Sequence, residues 1–416
     1  MMAHGDEQQI HVDSHTRQSA GPAERGISAG QQAFGAGWRP SRRASAPGRI
    51  ELIGNHLDYN GGPVLAAAID REVVAWSDTN GPPGTIGVSL ADVPSDIIHV
   101  QIARLGDWRN PSNNIEPADY VSAVAASLVG RGHGCRDSGR IAVASNVPIG
   151  LGVSSSAALC IALSLTLSAS ELTPHQLVLT AQEAEHRAGT PCGTMDQSAS
   201  VAGEVIRFDG ATLGTEKLEP DLGTYTFLIA DSGVDRSLGN SVYPRRVEEA
   251  KRALQLANTA LTDALPHLAA MTRQELAWLA DEGVLTGDLL RRCRHVVTET
   301  QRVTGAERAM TSGDWPTFGK LMTASGRSSA ADYDVSHPRV EELVSEILSS
   351  EGVLGARMMG GGGGGSVLAL LEDSAVDWLQ ARLNAGYLST YEMADRSDAV
   401  QRCKFGPAAS IKPVTS

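Results

Sequence analysis

The stretch Asn146-Val-Pro148-Ile-Gly150-Leu-Gly152-Val-Ser154-Ser155-Ser156-Ala157-Ala158 constrains this chain more than any other. A short apolar run at residues 141–144 precedes it, and an Ala- and Leu-rich run at residues 157–167 follows. That order predicts a strand, a glycine loop and a helix that opens at the serines. Glycines let backbone amides approach an anion closely, and the amides and dipole at a helix N-terminus favour phosphate. Serine hydroxyls can also ligand Mg²⁺. An ordinary N-capped loop would look the same on this stretch alone. Other known patterns fail in detail. A G-x-G-x-x-G fingerprint needs Gly where Ser155 stands, a Walker loop needs a Lys, and a G-x-S-x-G elbow needs Gly where Ser156 stands.

Two further segments carry candidate chemistry. Ala46-Pro-Gly-Arg49-Ile-Glu51-Leu-Ile-Gly54-Asn55-His56-Leu57-Asp58-Tyr59-Asn60-Gly61-Gly62 runs from an apolar strand into a polar loop and turn. Its cluster of Asn, His and Asp suits a polyhydroxylated ligand that needs directional hydrogen bonds, although a solvated turn would contain the same residues. The third is a run of glycines from Gly360 to Gly365 between the apolar pieces Ala-Arg-Met-Met and Ser-Val-Leu-Ala-Leu-Leu. Six glycines often mean a flexible linker. Between two strands they favour a tight turn or close backbone approach.

At 416 residues the chain is too long for one ordinary core, which predicts two domains. A leader over residues 1–39 is expected to be mostly disordered. A first domain is expected over 40–215 and a second over 216–416. A strand is expected at residues 64–76, and a helix that starts at Thr173 with Gln176 as capping partner and stops near Gly189. Residues 203–232 read as strand and turn. Residues 243–350 read as mostly helical, with a second capping box at Thr272 and Glu275. Strands are expected again at 355–371 and 388–393. Strands and helices segregate along the chain, which makes the class α+β. The net charge of −13 without a basic run argues against a nucleic-acid partner. Five widely spaced cysteines argue against a disulfide framework or structural zinc and for a reducing compartment, the cytoplasm. No apolar run is long enough to predict a membrane span.

Taken together, the three segments resemble the ordered motifs of the GHMP kinase superfamily, whose central pattern P-x-G-x-G-[LV]-S-S-S-A is matched by Pro148, Gly150, Gly152, Val153, Ser154, Ser155, Ser156 and Ala157. The first segment is similar to the galactokinase signature GRVNLIGEHTDYNGG. Pro191-Cys192-Gly193-Thr194-Met195-Asp196-Gln197 resembles its P-C-G-I-M-D-Q. Asp231-Ser232-Gly233-Val234, leading to Tyr243-Pro244-Arg245-Arg246, resembles the segment that ends in Y-x-x-R.

The resemblance implies a two-domain fold, with a ribosomal-protein-S5-like first half and an α/β-plait second half, and with ATP and sugar meeting between them. It implies that Asp196 is the catalytic carboxylate and Arg49 its partner at the reacting groups. It makes Asn55, His56, Asp58, Gly193 and Tyr243 sugar contacts and the Pro148–Ala157 motif the ATP site. Ser155, Ser156 and Glu185 become the Mg²⁺ ligands, with Glu183 as the alternative to Glu185. The implied activity is phosphorylation of a sugar, galactose first, at its anomeric hydroxyl by a monomer or weak homodimer.

The chain also departs from the family. Asn55 stands where galactokinases have Glu, at the C6 end of the sugar. That predicts easier entry of a C6 carboxylate, so galacturonate, arabinose or a modified hexose are the alternative substrates. Leu57 replaces Thr, Cys160 often Glu, Met359 Thr and Gly363 an aromatic residue, and the segment after Glu185 is one residue short. A sugar and ATP sensor without catalysis is the reading from a different class.

Overall fold

The computed structural model describes residues 20–93, 96–110, 115–235 and 242–414. After α1 (Pro22–Phe34), the chain lays down β1 (Arg42–Ile53), β2 (Pro63–Asp78), β3 (Thr85–Leu90), β4 (Ile98–Gln101), α2 (Pro117–Gly130) and β5 (Ser138–Ser145). Helices α3 (Ser155–Leu167), α4 (Pro174–Ala188) and α5 (Met195–Ala202) follow, then β6 (Val205–Asp209) and β7 (Thr215–Leu218). The remainder is β8 (Tyr225–Asp231), α6 (Tyr243–Ala260), α7 (Arg273–Asp281), α8 (Gly287–Thr311), α9 (Trp315–Ala331), α10 (Pro338–Leu348), β9 (Val353–Met358), β10 (Ser366–Glu372), α11 (Val376–Leu383), β11 (Val400–Cys403) and β12 (Ser410–Pro413).

The first sheet has eight strands in the order β12-β1-β2-β5-β3-β4, and β6 and β7 branch from β2. Among the described residues only the β3–β5 pair is parallel. The long β2 serves two neighbours: residues 63–67 pair with β6 and residues 73–78 with β5, while β1 runs along its other edge. The second sheet is antiparallel, in the order β11-β8-β10-β9. The class is therefore α+β, as the segregated pattern predicted.

Aromatic side chains make up only 4% of the sequence, so small residues fill the first core. Ala44, Ala46, Ala67, Ala75, Ala125 and Ala162 are fully buried. Each buries little area at about 25 cal/mol/Å², but each lets strand and helix backbones come close. Helix α3 is apolar on nearly every side, so it sits inside the domain rather than on its surface. The capping boxes form as read: Thr173 with Gln176 opens α4, and Thr272 with Glu275 opens α7. The run of glycines makes a fixed turn, not a linker. Gly363 N donates to Val335 O, Gly365 N donates to Val234 O, and Ser232 N donates to Gly365 O.

Three expectations need correction. Residues 22–34 of the supposed leader are helical, and Trp38 is buried. Gly26 and Gly30 let α1 lie against Trp76 and Trp38, so this segment belongs to the first domain. Residues 1–19 lie outside the described residues. The boundary at 215 falls within the first sheet, because β7 pairs with β6, and β12 returns from the far end of the chain to pair with β1. Residues 388–393 form no strand. A π-helical turn at Asn384–Leu388 bends the chain, with Tyr387 Oη donating to Ser232 O and Arg339 O, and the strand of this region is Val400–Cys403. No described helix is long and apolar enough to cross a membrane.

Candidate active site

The loop predicted to hold phosphate packs directly on the strand that carries the polar motif. Arg49 N donates to Val153 O at 3.0 Å. Gly48 permits the approach, since a Cβ there would lie 2.8 Å from Val153 O. Three residues of the loop, Gly150, Gly152 and Ser154, have positive φ. Ser154 does not cap α3. Its hydroxyl turns away to donate to Asp196 Oδ2. The first turn of this 13-residue helix therefore faces the cavity lined by Ser154, Ser155 and Ser156 without a side-chain cap.

Asp196 stands in the first turn of α5, where the helix dipole favours a carboxylate. The Pro191–Gly193 loop before it is tied down by His186 Nε2 and Gln182 Nε2 at Cys192 O, 2.9 and 3.2 Å away. Arg49 grips Asp196 Oδ1 through Nε at 2.8 Å and Nη2 at 2.6 Å, and donates Nη1 to Gly152 O at 2.6 Å. One buried guanidinium thus fixes both the candidate catalytic carboxylate and the candidate phosphate loop.

Asp58 also lines the cavity, from the 3₁₀ turn Asp58–Asn60. Burial pushes its carboxyl up to about 7, and the charge of Asp196 adds to this. Gly193 makes room for it: a Cβ there would lie 1.7 Å from Asp58 Oδ2. His56 Nδ1 bonds Tyr59 Oη at 2.9 Å, and Tyr59 Oη bonds Tyr333 Oη at 3.0 Å. Tyr243 lies against His56 and Tyr59 with ring centroids 5.6 and 5.3 Å away. A polar wall with fixed acceptors on one side of the cavity is the result.

Glu185 is buried, accepts from Ser156 Oγ at 2.7 Å and also from Gln197 Nε2. Burial pushes it up to about 7, against these hydrogen bonds. It has no cationic partner among the described residues, and it lines the cavity beside the start of α3. A hard divalent cation fits such a pair of oxygen donors. No group of three His, Cys, Asp or Glu that could hold a metal occurs among the described residues, so an ion would take its other ligands from phosphate and water. Glu183, the alternative, is engaged elsewhere by Arg187 and Arg131.

The cavity has room for about 430 Å³, in the range of small-ligand sites. Its far end is apolar, with Val73, Leu90, Ile115, Val143 and Leu159, a slot suited to a flat heteroaromatic base. Sequence reasoning missed this wall, because its members are dispersed over β2, β3, β5, α3 and a loop. It also missed Glu51 and Glu299. Glu299 Oε1 accepts the amides of Gly54 and Asn55 at 3.0 and 3.3 Å from within α8. Burial opposes its charge, yet His295, Arg302 and Arg357 hold it below the usual carboxylate range.

The predicted site residues do not all reach the cavity. Arg49, Asn55, His56, Asp58, Gly150, Gly152, Ser154, Ser155, Ser156, Glu185, Gly193, Asp196 and Tyr243 line it. Pro148 does not, and Ala157 is packed in the core. Asn55 lines the cavity but spends its amide on the protein, with Nδ2 on Glu51 Oε1 and Gly360 O, and Oδ1 accepting from Ser329 Oγ. Of the segment leading to Tyr243, residues 236–241 lie outside the described residues.

The galactokinase galactose-binding signature matches residues 31–77, the GHMP kinases N-terminal domain residues 119–204 and the GHMP kinases C-terminal region residues 306–387. The galactokinase of Thermotoga maritima is 34% identical over 373 residues, 86% of this chain and 99% of that protein. The galactokinase of Bos taurus is 35% identical over 399 residues, 89% and 94% of the two. The crystal structure of Lactococcus lactis galactokinase complexed with galactose superposes with a TM-score of 0.82 at 25% identity, covering 91% of this chain and 97% of that one. A mevalonate kinase at 17% identity and a TM-score of 0.59 shares the fold.

Proposed function

The chain belongs to the galactokinase family of GHMP kinases, and from that premise we propose that it transfers the γ-phosphoryl group of ATP to the anomeric hydroxyl of galactose. The observation that carries the proposal is the Arg49–Asp196–Ser154 cluster, which joins a carboxylate to the glycine and serine loop inside a cavity that polar and apolar residues both line.

In this reading the apolar slot takes the base of ATP, and the first turn of α3 with Gly150 and Gly152 takes its phosphates. The sugar lies against Asp58, His56 and Tyr243. Asp196 Oδ1 and Oδ2 stay oriented by Arg49 and Ser154, so the carboxylate accepts a hydrogen bond from the attacking hydroxyl and takes its proton as the oxygen bonds to the γ-phosphorus, while the bond from that phosphorus to the bridging oxygen breaks and ADP leaves with the electron pair. The fixed charge of Arg49 also favours the negative charge that spreads over the transferred group. Ser156 and Glu185 would hold Mg²⁺, which when bound neutralises phosphate charge. The site is largely built in advance, and this reduces the entropy lost when two substrates are aligned.

ADP release with Mg-ATP and a panel of galactose, glucose, arabinose, N-acetylgalactosamine and galacturonate tests the proposal. Galactose is expected to give the highest kcat/KM and a C1 phosphate by NMR. D196N should lower kcat by a factor of about 100 or more while galactose still binds. Binding of galactose and ATP with no turnover by the wild-type protein would refute the reading in favour of a sensor.

A further inference from the structure

Arg49 and Glu51 occupy alternate positions of β1 and line the same cavity. Glu51 therefore enters it about 7 Å along the strand from the arginine that holds Asp196. One of its oxygens is clamped: Arg357 Nη2 donates to Oε1 at 2.6 Å and Asn55 Nδ2 at 3.0 Å. Its main chain is held as well, with Glu51 N on Met359 Sδ at 3.4 Å and Glu51 O accepting from Arg357 Nη1 at 3.2 Å. The second oxygen, Oε2, accepts no hydrogen bond from the described residues and is not sealed from the cavity. The side chain is thus aimed from behind, with one acceptor left for a ligand.

The signature GRVNLIGEHTDYNGG has Asn at this chain's position 51 and Glu at position 55. Here the two residue types are exchanged. The cavity keeps a carboxylate, displaced by four positions along the chain, and the amide becomes its brace. Asn55 also donates to Gly360 O at 2.9 Å and accepts from Ser329 Oγ at 2.9 Å, which ties the brace to the glycine turn and to α9.

We propose that Glu51 is the specificity-determining residue at the end of the sugar remote from the reacting hydroxyl. Its Oε2 accepts a hydrogen bond from a neutral hydroxyl there, the C6 hydroxyl of a hexose, and Asn55 is the positioning residue that aims it. The proposal rests on the sugar-kinase reading and gives that site its substrate class: neutral hexoses, not uronates. A uronate would bring a second carboxylate against Oε2. Arg357 does not compensate, because it is fully buried and already matched to Glu51. A 6-deoxy sugar would leave a desolvated acceptor unpaired. This reverses the expectation drawn from Asn55 alone.

The test measures kcat/KM of wild type, E51Q and N55A on galactose, 6-deoxygalactose and galacturonate. Each ratio is taken within one protein, so the folded fraction cancels. Wild type is expected to prefer galactose over 6-deoxygalactose by about 10- to 100-fold, the range of a hydrogen bond to a charged group, and to leave galacturonate untouched. E51Q should bring that ratio towards one and admit galacturonate, and N55A should give an intermediate ratio. A wild-type ratio near one, an unchanged ratio in E51Q, or galacturonate turnover by wild type would each overturn the proposal while the kinase reading stands. Absence of turnover on every sugar would overturn both.

Discussion

Replacing Asp58 by asparagine should make the protein more stable and less able to bind sugar, and the gain should depend on pH in a defined direction. Asp58 titrates at about 7 in the folded chain against 3.8 ordinarily, because burial and then the charge of Asp196 oppose its ionisation. The folded state therefore binds this proton more tightly than the unfolded state. Wild type loses stability as pH rises from about 4 to about 7, and the loss is complete above that. About three pH units at 1.36 kcal/mol each set a ceiling of about 4 kcal/mol. Part of the carboxylate faces cleft water, and solvent screening lowers the expected value to about 2 kcal/mol. The amide of the D58N variant carries no charge at any of these pH values. With an unfolding entropy of about 2.1 cal/mol/K per residue, D58N should melt about 2–4 °C above wild type at pH 8 and level with it near pH 4. Scanning calorimetry of the unliganded proteins across this range measures the difference, and titration calorimetry should show galactose affinity at least tenfold weaker in D58N at pH 8. A Tm difference that is flat with pH, or that shrinks as pH rises, would refute the argument that a buried charge is retained here for binding at the expense of stability.

Two further substitutions test close approaches. In G193A the new Cβ would lie 1.7 Å from Asp58 Oδ2, so the carboxylate must move; KM for galactose should rise about tenfold or more while KM for ATP stays near wild type. In G362A the Cβ would meet Val335 O at 2.3 Å with φ at +89°, and denaturant melts should show a loss of about 2 kcal/mol or more.

The parts of the fold legible in the sequence were those with local causes. A capping Thr followed three residues later by Gln or Glu announces a helix start wherever it stands, and Thr173 and Thr272 did so. The segment at 388–393 misled because Leu388 and Met393 are apolar for different reasons, one as the buried last residue of a π-helical turn and one packed beside Gly233. The leader misled because α1 has few apolar residues of its own and is held by glycine contacts with tryptophans that follow it in the chain. At the site, Asp196, Arg49 and Glu185 stand in motifs that are local in the sequence, and the fold brings all three to one cavity. What Asn55 does was not, since its partners Ser329 and Gly360 lie 274 and 305 residues away. The clamp on Glu51 was equally invisible, because Arg357 reaches it across 306 residues.

The return of β12 to β1 has a consequence for how the chain is made. Ser45 and Ser410 face each other across that pairing, 365 residues apart. At about 5–20 residues per second on the ribosome, the outer edge of the strand that carries Arg49 and Glu51 waits roughly 20–70 s for its neighbour. Over that interval the nascent first domain presents an unpaired strand edge of the kind that invites association with other chains. The sheet that is begun first is thus completed late, and the strand bearing Arg49 and Glu51 gains its second neighbour only once β12 has been made.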